Sequence, residues 1–168
     1  HKVKQEGCVF KTVLGLENFD KTHLVKNKAL VDAALTKGLE WMVSAQSASG
    51  GWGSGDHSRQ DIRDPHLVKA DPASTSLMGM ALLRNENNNT KGKYTTNFKK
   101  AVEYLLKAVE QAPVNAFNIT DITNTQPQVK LGRNINVILT AQFFTNYLQQ
   151  CQLGNSQKPR VEKKKKKC

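Results

Sequence analysis

The chain has 168 residues, of which 38% are apolar, one ordinary domain's worth with enough for a core. No apolar run approaches the roughly 18 residues of a membrane-spanning helix, and three cysteines scattered at Cys8, Cys151 and Cys168 form neither a disulfide framework nor a zinc pattern. The formal charge of +11 favours anionic partners.

Residues 1–27 read as an irregular N-terminal segment, with "CVFKTVLGL" (Cys8–Leu16) its one candidate strand. A first residue of His fits a processed, excised or tagged chain, so the expectation is a soluble protein with export left open. The first helix is expected over about 28–45, capped by Asn27, with Val31, Ala34, Leu35, Leu39 and Met42 at helical spacing. The second opens on Asp71-Pro72 and runs to about Arg84. Aspartate caps the free amides there, and proline suits the first helical position, where its missing N–H is not needed. "NENNNTKGK" reads as a solvated loop. The third helix starts near Thr96, carries the stripe Phe98, Ala101, Val102, Leu105 and Val109, and stops at Pro113. The fourth runs from about Asn134 to Gln152, ending before Gly154. Its stripe is Val137, Ala141, Phe144, Leu148 and Cys151, widened by Ile138, Leu139 and Phe143. A helix so apolar around its girth is expected to be buried on more than one side. The connections 47–70 and 113–133 are long, which implies function or small structure of their own.

Residues 154–168 read as a basic disordered tail. Lys163–Lys167 supply five of the positive charges; without them the balance is still +6. Like-charge blocks usually stay unfolded. No aromatics interleave with the basic residues, so specific nucleic-acid binding is not expected. A membrane surface is the contact such a tail allows.

The four helices contain a repeat. Lys37-Gly38-Leu39-Glu40-Trp41-Met42 lies over Lys100-Ala101-Val102-Glu103-Tyr104-Leu105, matching in basic, small, any, acidic, aromatic and apolar character. Asp71-Pro72-Ala73-Ser74-Thr75 falls on Asn136-Val137-Ile138-Leu139-Thr140, and Pro65, Val68 and Lys69 echo Pro127, Val129 and Lys130, with the offset held within 61–65 residues. Two helical hairpins of one kind follow each other. Such a unit buries its apolar face by stacking on copies of itself.

The stretch "KGLEWMVSAQSASGGWG" resembles the QW motif of the terpenoid cyclase and protein prenyltransferase repeat superfamily. Lys37, Gly38, Trp41, Gln46, Gly50 and Trp52 fit its pattern, with Met42 in place of leucine. Gln46 would serve exposed backbone groups at a helix end, and Trp52 would fold back as an apolar clasp. The motif therefore speaks for stability, with Asp71 as a further structural residue. The second copy keeps Lys100, Ala101, Tyr104 and Leu105, puts Val109 where glutamine belongs and lacks Gly-any-Trp. The resemblance covers about residues 28–150 and implies an all-α fold. In that superfamily outer and inner helices alternate around a cavity in an α/α toroid. Here residues 28–153 would form a partial toroid of two hairpins, outer-inner-outer-inner, as an open arc. Closed rings need roughly half a dozen hairpins, so the chain would be a fragment, an arc completed by a partner, or a reduced member.

The family's chemistry does not carry over. The acid triplet of the squalene cyclases, the zinc-binding Asp-any-Cys of the prenyltransferases and the thioester signature of complement-like toroids are all missing. Whether the chain is an enzyme stays open, and no metal or cofactor is expected. The loop Gly55–Pro72 holds His57, Arg59, Asp61, Arg63, Asp64 and His66, the candidate ligand-binding set. Two imidazoles among carboxylates suit a metal or acid–base work. The interleaved Arg59, Arg63 and Lys69 instead favour internal ion pairs.

Three functions fit. The first is a prenyltransferase/squalene-cyclase-type repeat module that binds an apolar small molecule or a protein partner, itself included, on its inner-helix face. The groove for it would be lined by Leu77, Met80, Leu83, Val137, Ala141 and Phe144, partly covered by residues 9–25. The second is a fragment of a terpenoid-cyclase-like or other toroid enzyme. The third is a structural or assembly protein.

Overall fold

The structure is a computed structural model that describes residues 27–85, 87, 88 and 90–156, with side chains through Cys151. The candidate strand, the cover by residues 9–25, Cys8, Cys168 and the lysine run lie outside the described residues. Among the described residues the protein is all-α. The long helices are α1 (Lys28–Ser44), α2 (Pro72–Arg84), α3 (Thr95–Gln111) and α5 (Ile135–Ser156). A 3-10 turn, Pro65–Leu67, precedes α2, and a short helix α4, Gln126–Leu131, precedes α5. Each hairpin is therefore long helix, short proline-led turn, long helix. Among the described residues the one bridge outside helices pairs Asp56 with Thr125.

Local chemistry sets the helix starts. Asn27 Oδ1 accepts from Leu30 N at 3.1 Å and Asp71 Oδ1 from Ser74 N at 2.8 Å, each satisfying an amide that has no partner in the first turn. α4 was not expected. It is held by a capping box: Thr125 Oγ1 accepts from Gln128 N, and Gln128 Oε1 accepts from Thr125 N at 3.1 Å. α5 continues through Ser156, past Gly154, where the sequence predicted the end and where the tail was expected to begin. One glycine weakens a helix by only about 1 kcal/mol.

α2 and α5 pack side by side and run in the same direction. Ala73 N donates to Asn136 Oδ1 at 3.1 Å, Ser76 Oγ and Thr140 Oγ1 bond at 3.2 Å, and Asn146 Nδ2 meets Met80 Sδ at 3.5 Å. The small residues Ala73, Ser76 and Gly79 are buried along this side of α2. A Cβ on Gly79 would sit 2.6 Å from Phe143 Cε2, so the bare backbone makes room for the ring. Phe143 and Phe98, both fully buried, pack with ring centroids 5.8 Å apart, and Tyr147 meets Phe98 edge-on at 5.3 Å. Leu82, Leu105 and Trp52 complete this core.

Three expectations fail here. α1 buries only Leu39 and Met42; Val31, Ala34 and Leu35 are exposed. α5 turns part of its predicted stripe outward, while Phe143 is buried and Leu139 and Phe144 pack against the core as expected. Val137, Ile138 and Leu148 are 37%, 58% and 59% exposed, while Asn136, Thr140, Phe143 and Asn146 are buried. The polar members of that inner face bond across to α2, which lets the face be buried, although among the described residues Asn136 Nδ2 is buried without a partner. Third, the six expected groove residues do not form one lining. Met80 and Leu83 are buried, Leu77, Val137 and Ala141 are exposed, and Phe144 is half-buried. "NENNNTKGK" also has one buried member: Asn87 Oδ1 accepts from Tyr94 N at 2.7 Å and pins the start of α3.

No described helix is long and apolar enough to cross a membrane.

Candidate functional site

Gln46, Gly50 and Trp52 form one clasp at the end of α1. Gln46 Nε2 donates to Gly50 O at 2.7 Å and to Asn97 O at 2.9 Å. Asn97 Nδ2 donates back to Gln46 Oε1 at 2.7 Å. Trp52 is buried, and its Nε1 donates to Met42 O at 2.7 Å, closing the free end of α1. Its backbone binds the other side: Trp52 N donates to Thr75 Oγ1 at 3.0 Å, and Trp52 O accepts from Asp71 N at 2.9 Å. Gly50 has φ +90°, in the left-handed region that favours glycine, and a Cβ there would lie 2.5 Å from Lys100 O. Asp71, fully buried, caps α2 with one carboxylate oxygen and accepts from Ser54 N at 3.2 Å with the other. The rest of the motif stands apart. Lys37 and Gly38 are exposed, and Trp41 is 57% exposed.

The six candidate ligand residues of the 55–72 loop do not converge. Arg59 and Asp61 pair with each other at 3.0 and 3.2 Å in solvent. Their hydrogen bond holds the Asp61 carboxyl below, and the Arg59 guanidinium above, its ordinary pKa. Asp64 Oδ1 accepts from His66 N at 2.9 Å, which starts the 3-10 turn. Arg63 and His66 are exposed. Only His57 reaches the second hairpin, its Nδ1 lying 2.9 Å from Gln126 Oε1. Around it, Asn124 Nδ2 donates to Asp56 Oδ1 at 2.6 Å, and His57 N donates to Asn124 O at 2.8 Å. Asn124 holds φ +60° to do so. The loop thus ties one connection to the other. Among the described residues no three His, Cys, Asp or Glu side chains gather as a metal site would require.

The larger concavity lies elsewhere. About 690 Å³ opens between α3, the Lys69–Pro72 segment and the Ile119–Ile122 loop. Its walls are apolar (Ala70, Pro72, Ala108, Ala112, Ile119, Ile122), with Lys69, Lys107, Glu103 and Asp121 carrying both charge signs. A smaller hollow of about 250 Å³ adjoins it through Lys69 and Ile122 and includes Arg59. Tyr104 lines the larger one and donates its hydroxyl to Ala70 O at 2.8 Å. Burial, then the nearby Asp71 charge, push its pKa up to about 12, so the phenol stays neutral and is a poor base at pH 7. The lining holds no histidine or cysteine. The site can hold a mixed polar and apolar group; it has no nucleophile–base pair. Sequence reading missed Asn97, Tyr104 and Asn136, whose roles come from partners on the other hairpin. The repeat matches of Tyr104 to Trp41 and of Asn136 to Asp71 were the available signals.

No protein-family model matches this sequence, and neither a curated protein nor a solved structure is significantly similar to it.

Proposed function

We propose that the chain is a repeat module of the terpenoid cyclase and prenyltransferase type that binds an apolar ligand or partner on its inner helices. In this proposal α1 and α3 are the outer helices of an open arc, and α2 and α5 the inner ones. The observation that carries it is the outward face of α5. Val137, Ile138 and Leu148 lie in solvent while asparagine and threonine are buried behind them, and Leu77 of α2 is 45% exposed. Apolar surface concentrated on one helix face marks a binding site more often than chance. The doubled long-short-long hairpin, the parallel packing of α2 and α5 and the Gln46–Trp52 clasp all agree with the resemblance. An enzyme fragment or an assembly protein would have to use this same face or the 690 Å³ concavity.

The test is titration of the protein with a farnesyl-chain alcohol and with an apolar fluorescent dye, for the native chain and for Ile138→Asp/Leu148→Asp. Both sites are exposed, so the fold is expected to survive and the probes to stop binding. Equal binding by both proteins would refute the assignment.

A further inference from the structure

We infer that the exposed side of α1 around Gly38 and Trp41 is a docking surface for another helical hairpin, one whose leading helix ends in an intact Gln…Gly-any-Trp turn. This concerns a different face from the one proposed above to bind an apolar ligand.

The interface already exists once inside the chain. α3 sits on the turn that follows α1. Asn97 exchanges hydrogen bonds with Gln46, Lys100 backs onto Gly50, and Tyr104 touches Gly51 and donates to Ala70 O. Ala101 and Leu105 of α3 are fully buried. The repeat places Lys37, Gly38, Trp41 and Met42 at the positions of Lys100, Ala101, Tyr104 and Leu105, 63 residues earlier. On α1 Lys37, Gly38 and Trp41 are exposed, while Met42 is packed into this chain's own core. Trp41 is 57% exposed, and a Cβ built on Gly38 meets nothing within 4 Å. Leu30, Val31 and Leu35 extend the same helix surface at 66%, 50% and 47% exposed. So α1 presents the side that docks, with nothing described for it to dock on.

The docking has a direction. The receiving element is the Gln46–Trp52 turn, and in this chain α3 occupies it. The corresponding stretch after α3 has Val109 for the glutamine and no Gly-any-Trp, so the second hairpin offers no clasp. A second copy of this chain therefore has no vacant turn to give. The occupant is a hairpin from a partner that carries its own Gln and Gly-any-Trp, and its turn would close over Gly38 and Trp41 as this chain's turn closes over Ala101 and Tyr104.

An insertion tests the fit. A second copy of residues 28–90 is placed between Asn27 and Lys28, which keeps the 63-residue spacing and puts an intact turn ahead of α1. The original copy carries Gly38→Cys, with Cys8, Cys151 and Cys168 changed to Ser and the inserted copy otherwise native. The readout is the rate of thiol labelling at that cysteine. We expect the insertion to slow labelling by about tenfold or more, as docking does for a buried site. Gln46→Glu in the inserted copy should restore the fast rate while far-UV circular dichroism shows its helices kept. Three results would each overturn the inference: no slowing on insertion, slowing that survives Gln46→Glu, or slow labelling already in the chain without the insertion. The last would mean that the chain itself, or a second copy of it, covers this face.

Discussion

Gln46 and Asn97 stand 51 residues apart and bind each other reciprocally, Gln46 Nε2 to Asn97 O at 2.9 Å and Asn97 Nδ2 to Gln46 Oε1 at 2.7 Å. With the bond from Gln46 to Gly50 O, one side chain joins the end of α1 to the start of α3. Gln46→Ala removes three hydrogen bonds at a half-buried site and leaves the Asn97 amide without its partner. The expected loss is about 1–3 kcal/mol of folding free energy. Gln46→Glu should be at least as damaging, since it sets an anionic oxygen against two carbonyls. Denaturant unfolding of the three proteins ranks them; a Glu variant as stable as the native chain would show that the clasp carries no weight.

The two tryptophans of the motif should behave oppositely. Trp52 is 3% exposed and bonded to Met42 O, whereas Trp41 is 57% exposed. Trp52→Ala should cost about 3–5 kcal/mol, as buried aromatic truncations do. Trp41→Ala should stay within about 0.5 kcal/mol, the usual range for surface changes. Thermal melts of both variants check this, and equal shifts would contradict the burial assigned to each.

The four long helices were legible because their caps and breakers are local. Asn27, Asp71-Pro72 and Pro113 act on residues one to three positions away. α4 was not, although Thr125 and Gln128 spell its capping box, because six residues give no period to read. The inward face of α5 was misread for a different reason. Hydrophobicity alone favours Val137, Ile138 and Leu148, but the side that packs is chosen by bonds from Asn136 and Thr140 to α2, and those partners lie 63 and 64 residues away. The clasp of Gln46 and Trp52 was legible through its spacing. The 690 Å³ concavity was not, since its walls come from three separate segments.

Gly79 is where α2 and α5 come closest. Gly79→Ala would gain about 0.5–1 kcal/mol in helix propensity. The added methyl would lie 2.6 Å from Phe143 Cε2, and Phe143 is held by Phe98, Phe144 and Tyr147. Overpacking of this kind costs about 1–3 kcal/mol, so the net effect is destabilising. Phe143→Leu should lose stability alone but less when combined with Gly79→Ala, since the smaller side chain gives the methyl room. A double-mutant cycle by urea unfolding measures that coupling. Strict additivity would mean that the two residues are not in contact.

Tyr104 gives the fold an alkaline limit. Its pKa is pushed up to about 12, first by burial and then by the Asp71 charge, against about 10 for an unfolded tyrosine. The folded chain keeps the phenol proton where the unfolded chain has begun to lose it. Stability from this group is therefore full below about pH 10 and is lost as pH rises toward 12, with a slope of at most about one proton. Tyr147, also raised by burial, adds to the same trend, so the two must be separated. Tyr104→Phe keeps the ring, loses the bond to Ala70 O and should lower stability at pH 8 by about 1 kcal/mol. Its stability should then fall less steeply than the native chain's between about pH 10 and 11.5, because Tyr104 no longer contributes while Tyr147 and Lys93, whose pKa values are also raised, titrate in both proteins. Urea midpoints across that range, with tyrosinate absorbance followed in parallel, provide the measurement. Parallel curves for the two proteins would show that Tyr104 ionises as it does in the unfolded chain, and the burial and Asp71 effects assigned to it would be wrong.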